Sequence, residues 1–351
     1  KDAVERLALG VKFDVVIVDL KMPGMDGIEI IRVLASSNFS GGVILLSAQD
    51  ERVIESARNL ACAHQLHVLA ALSKPLQKSS LEQALVGMES AIKSHADTGN
   101  YNVDTNDLIS ALAREEIVTY YQPQWCIRSG KFTSVEALAR WIHPQKGFIP
   151  PSVFIPIAEE DEDVINTLTY CVLEQVFQDF GQWVRNEGIS LLISVNLSAI
   201  SLSDIHLPEK LEALSNRYQI PCTSIVLEIT ESSLVKNLVA SLDVLLRLRI
   251  KGFGLSIDDF GTGYSSLEQL NKIPFTELKI DRTFISGLSH SSASKAILES
   301  SIALARKLDM CVVAEGVETK EDFDVLTNLS CDVAQGFFIA KPMSLESLIS
   351  F

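Results

Sequence analysis

Residues 254–263 read GLSIDDFGTG, a short apolar run that ends in two adjacent carboxylates, Asp258 and Asp259, and continues into a glycine-rich segment. An apolar run of this length predicts a buried strand, and the glycines after it predict a turn. In open α/β folds, ligands bind beyond the carboxyl ends of the strands. We therefore expect the two aspartates to face a ligand site at one end of a sheet.

Polar residues end further apolar runs on both sides of this stretch. From Asn196 to Gln335 the successive separations are 32, 30, 21, 36 and 20 residues, each about the length of one strand plus one helix. A (β/α)8 barrel of the TIM type gathers strand-end residues at its C-terminal face, where its active sites lie. The spacing therefore predicts such a barrel, with a mouth lined by Asn196, Glu228, Asp258, Asp259, Lys279, Glu315 and Gln335.

Several carboxylates would converge at this mouth, namely Glu136, Glu228, Asp258, Asp259 and Glu315. Carboxylates at close range cannot all stay ionised without compensation. Hard divalent cations such as Mg²⁺ or Mn²⁺ provide it in oxygen-rich sites. Asn196 adds a neutral oxygen ligand, and Lys279 adds a positive charge that can orient a water molecule. The alternative for any single carboxylate is a solvated loop residue or a helix N-cap.

The first part of the chain alternates strand-like and helix-like runs, which predicts a flavodoxin-like, doubly wound parallel sheet. Asp19, Ser47 and Lys74 stand at the ends of three of these strands. A carboxylate nucleophile, a hydroxyl and an ammonium group at one sheet edge can converge on a phosphoryl group. The predicted limits are 1–88 for this domain, 89–104 for a helix end and linker, and 105–351 for the barrel.

The composition limits the partners. The formal net charge is −15, and residues 1–100 contain 10 basic and 12 acidic side chains, which leaves 20 and 33 for the remainder. Such a surface repels nucleic-acid duplexes, which need a basic footprint. No apolar run approaches the roughly 20 residues of a membrane span. The six cysteines include no CxxC pair, so we expect a cytoplasmic protein with reduced thiols and no contact with membranes.

The second part resembles the EAL family. The motif that names the family is present at residues 135–141, VEALARW. Further matching blocks are VNLS at 195–198, EITE at 228–231, DDFGTGYSS at 258–266, LKID at 278–281, EGVE at 315–318 and QGF at 335–337. The resemblance implies hydrolysis of cyclic di-GMP to linear pGpG with two Mg²⁺ or Mn²⁺ ions per active site. It also implies a modified barrel whose first strand runs against the others.

The same resemblance implies roles for individual residues. The metal ligands would be Glu136, Asn196, Glu228, Asp258, Asp259 and Glu315. The catalytic residues would be Glu136, Lys279 and Glu315, with Lys279 assisting the attacking water. The substrate would be bound by Gln122, Leu138, Arg140 and Gln335.

Residues 18–27, VDLKMPGMDG, resemble the phosphoacceptor region of response-regulator receiver domains. This implies that a cognate sensor histidine kinase or another phosphodonor phosphorylates Asp19, while Ser47 and Lys74 contact the phosphoryl group. The first strand of that family, with the acidic residues that bind Mg²⁺, has no counterpart in the sequence. We therefore expect an N-terminally incomplete receiver domain, and a homo-oligomer formed through the EAL domain.

Two alternatives stay open. A catalytically silent cyclic di-GMP receptor would keep the ligand site without turnover, and an enolase-like lyase would use Lys279 as a base. Glu231 lies three residues after Glu228, so the two side chains would face opposite sides of an extended strand. We expect Glu231 to lie beside the loop 259–266 and to hold Asp258 and Asp259 in place. Its alternative role is that of a helix-capping glutamate.

Overall fold

The structure, a computed structural model, divides into two compact units, residues 1–100 and 101–351, which are described separately below. The described residues are 6, 13–22, 25–37, 39, 41–48, 51–64, 66–76, 78, 81–82, 101–187, 191–231, 238–262, 270, 272–289 and 291–351. Most of the helix predicted at 81–94, most of the linker predicted at 97–102 and loop positions 263–266 lie outside these residues.

The first unit contains a parallel sheet in the order β1-β2-β3. Its strands and helices are β1 (Val15–Asp19), α1 (Gly27–Ser36), β2 (Gly42–Ser47), α2 (Glu51–Ala63) and β3 (His67–Ser73). Helix α1 begins after Asp26, whose side chain accepts a hydrogen bond from the Glu29 backbone N–H at 2.9 Å. Its buried face, which includes Ile31 and Leu34, packs on Val43 of the sheet. The predicted parallel α/β architecture of this unit is confirmed.

The second unit is larger and follows the strand–helix alternation that the sequence predicted. Its strands are β4 (Ile117–Cys126), β5 (Lys131–His143), β6 (Gly147–Ile149), β7 (Leu192–Asn196), β8 (Ile225–Thr230), β9 (Gly254–Phe260), β10 (Glu277–Ile280), β11 (Cys311–Ala314) and β12 (Val333–Ala334). Its helices are α3 (Thr105–Ala113), α4 (Pro151–Glu159), α5 (Glu162–Glu187), α6 (Leu207–Tyr218), α7 (Leu238–Ile250), α8 (Arg282–Ile285), α9 (Ser292–Lys307), α10 (Lys320–Asn328) and α11 (Leu345–Ser350).

These strands close into a barrel. The hydrogen-bonded order is β4-β12-β11-β10-β9-β8-β7-β5, and β4 also pairs with β5, which completes the ring; β6 extends the sheet beyond β5. Strand β4 is antiparallel to both of its neighbours in the ring, whereas the other pairs of the ring, from β5–β7 to β11–β12, are parallel. Strand β6 pairs with β5 in antiparallel orientation outside the ring. The predicted TIM-type barrel with a reversed first strand is therefore confirmed.

The strands alternate between an apolar outer face and a polar inner face. In β10, Leu278 and Ile280 belong to the apolar core, while Lys279 contacts carboxylates that follow or lie on β5, β8 and β9. A side chain can reach all of these strands only from the barrel interior. Because side chains alternate along a strand, Glu277 faces the same way. The inner face of the barrel thus carries the polar residues on which the site depends.

Among the described helices, none combines the length and the apolar character needed to cross a membrane.

Candidate active site

The predicted strand-end residues meet inside one end of the barrel, around Lys279. Its side chain is fully buried, and it pairs with four carboxylates that belong to four other strands or their ends. The distances from Nζ are 2.6 Å to Glu315 Oε1, 2.7 Å to Glu228 Oε2, 3.4 Å to Glu136 Oε2 and 3.7 Å to Asp258 Oδ1. Elements far apart in the sequence are thus brought to one point by barrel closure.

The charges in this cluster perturb one another. Burial lowers the pKa of Lys279, but the surrounding carboxylates outweigh it and hold that pKa well above its ordinary value. Burial raises the pKa of Glu136, but Lys279 and hydrogen bonds from Gln335 and Asn196 hold it below its usual value. Burial and the Glu136 charge raise the pKa of Glu228 well above normal.

The pKa values of the Glu315 and Asp259 carboxyls are also raised, because too little positive charge lies near them to keep both ionised. Burial raises the pKa of Glu315 to about 8 against the opposing effect of Lys279. Burial and the neighbouring Asp258 raise the pKa of Asp259 to about 6. One buried lysine therefore does not compensate all of the carboxylates gathered here. A site that favours protons on several carboxyls also favours divalent cations in their place.

The geometry of the carboxylates fits metal binding. One oxygen each from Asp258, Asp259 and Glu315 lie within 4.8 Å of one another. Oε1 of Glu228 is buried and has no hydrogen-bond partner among the described residues. Asp259 has a backbone φ of 56°, which is uncommon for a residue other than glycine. The donor set is oxygen-rich, as Mg²⁺ and Mn²⁺ prefer.

Amide side chains fix the orientation of Glu136. Asn196 Nδ2 donates to Glu136 Oε1 at 3.0 Å, and Gln335 Nε2 donates to Glu136 Oε2. Gln335 Nε2 also lies 3.1 Å from Gln122 Oε1. Gln122 in turn donates to the Ala340 carbonyl at 3.0 Å, which ties the reversed strand β4 to the segment after β12.

Strand β5 continues beyond Glu136 and forms a wall of the mouth. Leu138 and Arg140 lie on this extension and, together with Asn196 and Ser198, line an open cleft of about 810 Å³. The Arg140 guanidinium lies 6.0 Å from the centre of the Tyr120 ring, within cation–π range. The volume of the cleft is in the range of small-molecule binding sites. Two of the four predicted substrate-binding residues, Leu138 and Arg140, thus line one cleft together with Asn196, a predicted metal ligand, whereas Gln122 and Gln335 do not line it.

Glu231 follows β8 directly and is 2% exposed. Its Oε2 accepts a hydrogen bond of 2.8 Å from the Gly261 backbone N–H, two residues after Asp259. The described part of the loop that starts with Asp259 is thus anchored to the end of β8. Glu231 does not appear in the carboxylate group formed by Asp258, Asp259 and Glu315.

The predicted phosphoacceptor residues lie together at one edge of the sheet in the first unit. Asp19 and Ser47 end the neighbouring strands β1 and β2, and Lys74 follows β3. Lys74 Nζ contacts Asp19 Oδ2, and the Lys74 backbone N–H donates to the Ser47 carbonyl at 2.8 Å. The hydrogen bond from Lys74 lowers the pKa of Asp19. An ionised carboxylate beside an ammonium group suits a phosphoacceptor site.

Two buried interior residues were missed in the sequence. Gln124 Nε2 donates to Gln335 Oε1 at 2.8 Å, and Glu277 is buried beneath Lys279. A signal existed for both, because each lies two positions from a predicted site residue, Gln122 or Lys279, on the same strand. Polar residues that recur with period two on an otherwise apolar strand indicate a polar inner face.

Comparison with known families agrees with this geometry. Residues 105–342 match the family model of the EAL domain, and residues 1–86 match that of the response regulator receiver domain. Both resemblances inferred from the motifs are thereby confirmed.

Individual relatives match different shares of the chain. The cyclic di-GMP phosphodiesterase RocR of Pseudomonas aeruginosa is 33% identical over 363 residues, covering 100% of this chain and 90% of RocR. The bifunctional diguanylate cyclase/cyclic di-GMP phosphodiesterase MucR of the same organism is 40% identical over 245 residues, but the chain spans only 36% of its length. The solved PaMucR phosphodiesterase–c-di-GMP complex has a TM-score of 0.65 at 40% identity, covering 69% of this chain and 98% of that one.

Proposed function

The chain belongs to the EAL domain family, and from that premise we propose that it is a phosphodiesterase that opens cyclic di-GMP to linear pGpG. The observation that carries the proposal is the buried cluster of Glu136, Glu228, Asp258 and Glu315 around Lys279. Phosphodiester hydrolysis requires compensation of negative charge and a positioned water, and this cluster can hold both.

The residues that would hold two Mg²⁺ or Mn²⁺ ions are Glu136, Asn196, Glu228, Asp258, Asp259 and Glu315. When bound, such ions activate a water molecule and neutralise charge on the phosphodiester under attack. Glu136 is held for this task from two sides, by Asn196 and Gln335. The loop contact from Glu231 to Gly261 restrains the segment that follows Asp259.

The remaining side chains would bind and orient the substrate. Lys279 would hold the attacking water in line with the scissile P–O bond. That bond breaks as the water oxygen bonds to phosphorus, and the proton that the water loses ends on the leaving oxygen. Arg140 at the cleft would pair with a phosphate. Gln122 and Gln335 present amide groups that can hydrogen-bond a guanine edge, with Leu138 packing beside it.

The first unit would regulate this reaction. We propose that Asp19 accepts a phosphoryl group from a sensor histidine kinase or another phosphodonor, with Ser47 and Lys74 as its contacts. The pairing of Lys74 with Asp19 supports this assignment, since the ammonium would neutralise the phosphoryl charge. Formation of a homo-oligomer through the EAL domain is part of the same proposal.

The direct test is turnover. The purified chain is incubated with cyclic di-GMP and Mg²⁺ or Mn²⁺, with a chelator control, and the nucleotides are separated by chromatography. We expect metal-dependent formation of pGpG, and loss of product in Glu136→Ala with the same melting temperature of the barrel within a few degrees. If the parent chain binds the cyclic dinucleotide but forms no product with either metal, the chain is a silent receptor and the proposal is wrong.

A further inference from the structure

Three glutamines form a hydrogen-bonded chain beside Glu136. Gln124 Nε2 donates to Gln335 Oε1 at 2.8 Å, and Gln335 Nε2 donates to both Glu136 Oε2 and Gln122 Oε1. Gln122 Nε2 donates in turn to the Ala340 carbonyl at 3.0 Å. All three glutamine side chains are buried. Gln124 is the member of this chain to which the expected ligand and substrate-binding sets assign no role.

The pairing of the strands explains how these side chains meet. The reversed strand β4 lies between β5 and β12, where the barrel closes. Gln122 pairs with Glu136 of β5, and the antiparallel pairing of β12 with β4, extended by one residue, sets Gln335 opposite Gln124. Gln122 and Gln124 are two positions apart, so both side chains point to the same face of β4. The Gln335 side chain therefore reaches across β4 to Glu136 and contacts both glutamines of that strand.

The carboxylate of Glu136 determines which way each amide points. A carboxylate only accepts hydrogen bonds, so Gln335 must turn its NH2 group toward Glu136. The Gln335 oxygen then faces Gln124, which must present its own NH2 group to it. Gln122 is oriented by the same rule, because the second N–H of Gln335 needs an acceptor and the Ala340 carbonyl needs a donor.

Gln335 depends on Gln124 for the contact of its carbonyl oxygen. Among the residues that the structure describes, no other donor bonds to Gln335 Oε1. A buried oxygen that loses its donor is costly, so loss of the Gln124 amide favours a different orientation of the Gln335 side chain. Any such rotation withdraws the Gln335 NH2 group from Glu136. The carboxylate then keeps one amide donor, that of Asn196.

We propose that Gln124 is a positioning residue for Glu136, whose carboxylate it holds in place through the amide of Gln335. The inference rests on the proposed function, in which Glu136 binds a metal ion and takes part in hydrolysis. Gln124 acts only through its neighbour, because its amide donates to Gln335 and not to a carboxylate of the site. The Gln335 oxygen has two lone pairs and Gln124 uses one, so the other stays available to a donor of the substrate.

Gln124→Met tests the role, because methionine keeps the length of the side chain and removes the amide donor. In the full chain without substrate, we expect the dissociation constant for Mn²⁺, measured by isothermal titration, to rise by about 10-fold or more, the usual effect of losing a group that orients a ligand. The kcat for cyclic di-GMP should fall by a similar factor with little change in KM, because the change affects the metal ligand and leaves the substrate contacts in place.

Gln175→Met is the matched control. Gln175 lies on α5 and accepts a hydrogen bond of 2.8 Å from the Thr119 hydroxyl, on the outer side of the same strand β4. The control thus removes a glutamine that is hydrogen-bonded to β4 but has no contact with Glu136. It should leave the Mn²⁺ affinity and kcat unchanged. An equal loss in Gln124→Met and Gln175→Met would mean that any weakening of β4 lowers activity, and it would overturn the proposal.

A double-variant cycle with Gln335→Met separates positioning from packing. If Gln124 acts through Gln335, adding Gln124→Met to Gln335→Met should change the Mn²⁺ dissociation constant and kcat by no more than about twofold. If the two residues act independently, the fold changes of the single variants multiply, and the proposal is wrong. The melting temperatures of the same four proteins, followed by tryptophan fluorescence without metal, should show a loss in the double variant that is smaller than the sum of the single losses, because the two residues share a hydrogen bond.

Failure of this inference and failure of the proposed function appear in different proteins. A parent chain that binds Mn²⁺ and cyclic di-GMP but forms no pGpG refutes the phosphodiesterase, while the Mn²⁺ titrations still decide the role of Gln124. A Gln124→Met protein that has the Mn²⁺ affinity and kcat of the parent, and only a lower melting temperature, refutes the positioning role. In a crystal structure of Gln124→Met we expect the Gln335 amide to be turned away from Glu136, and an unchanged contact between these two side chains would also overturn the proposal.

Discussion

The Lys279 Nζ atom lies 2.7 Å from Glu228 Oε2, and both side chains are almost wholly buried, with exposed fractions of 1% and 0%. The two residues are 51 positions apart in the chain and meet because β8 and β10 flank β9 in the barrel. This pair is the centre of the charge cluster. It makes the stability of the barrel depend on the same groups as the proposed chemistry.

Lys279→Met should therefore act on both properties. We expect kcat to fall on the order of 10²-fold or more, because a positioned catalytic group is lost. In the metal-free protein the free energy of unfolding should fall by about 3–5 kcal/mol, since the variant leaves buried carboxylates without their cation. Saturating Mg²⁺ should recover part of this stability, because the cation replaces the lost charge.

Steady-state kinetics and urea titrations followed by tryptophan fluorescence measure the two effects. Lys307→Met, on the exposed end of α9, is the control for the loss of a lysine charge. A Lys279→Met protein with normal kcat and only a raised KM would contradict the role in the chemical step.

Glu231 is expected to act through the loop that it holds. Glu231→Ala removes the acceptor of the Gly261 N–H and leaves that donor without its partner. We expect metal affinity or kcat to fall by about 10–100-fold, the usual effect of losing a group that orients a ligand. Glu231→Gln keeps an oxygen acceptor and should retain most of the activity. Isothermal titration with Mn²⁺ and the turnover assay decide the matter.

If Glu231→Ala binds metal and turns over like the parent while losing only thermal stability, the contact is a structural cap. The comparison of Glu231→Ala with Glu231→Gln separates charge from hydrogen bonding. Both variants lose the negative charge, but only Glu231→Ala loses the hydrogen bond from the Gly261 N–H.

The strand-end residues could be predicted from the sequence because the pattern that identifies them lies within a few neighbouring positions. Asp258 and Lys279 end or interrupt short apolar runs, and one strand-plus-helix spacing separates such runs. The contacts between them could not be predicted, since they depend on how closure staggers the strands. Gln124 and Glu277 were missed, although each lies two positions from a predicted site residue on the same strand. Which carboxyl has a raised pKa also depends on that stagger.

Asp19→Asn tests the separate role of the first unit. We expect basal hydrolysis by the barrel to remain within about twofold of the parent, because Asp19 lies in another compact unit. Any change in rate that a small phosphodonor such as acetyl phosphate causes in the parent should vanish in the variant. The assay compares the initial rates of both proteins with and without the phosphodonor. A response that persists unchanged in Asp19→Asn would remove Asp19 as the acceptor.

A buried contact outside the site predicts how the stability of the barrel depends on pH. The Tyr121 hydroxyl, on the reversed strand β4, donates to Asp179 Oδ2 of α5 at 2.6 Å. Tyr121 is 0% exposed. Burial raises the pKa of Asp179 and outweighs the opposing hydrogen bond from Tyr121. The folded barrel therefore holds a proton on Asp179 at pH values where the unfolded chain has released it.

The direction in which the stability of the barrel changes with pH follows from the number of protons that each state binds. Between the unfolded pKa of aspartate, about 3.9, and the raised folded pKa, the folded state binds more protons than the unfolded state, so stability falls as the pH rises through this window.

Asp179→Asn still offers an oxygen to Tyr121 but has no charge to bury. We expect the variant to match the parent near pH 3 and to melt at progressively higher temperature than the parent as the pH rises to the folded pKa of Asp179, above which the difference becomes constant. Tyr121→Phe should extend this loss of stability to higher pH, because it removes the bond that stabilises the ionised form and so raises the folded pKa of Asp179 further. Melting is followed by tryptophan fluorescence, which reports on the barrel because Trp125, Trp141 and Trp183 all lie in residues 101–351. A difference between Asp179→Asn and the parent that is the same at pH 3 and pH 7 would mean that the folded and unfolded states titrate Asp179 alike, and that burial of this carboxyl carries no cost.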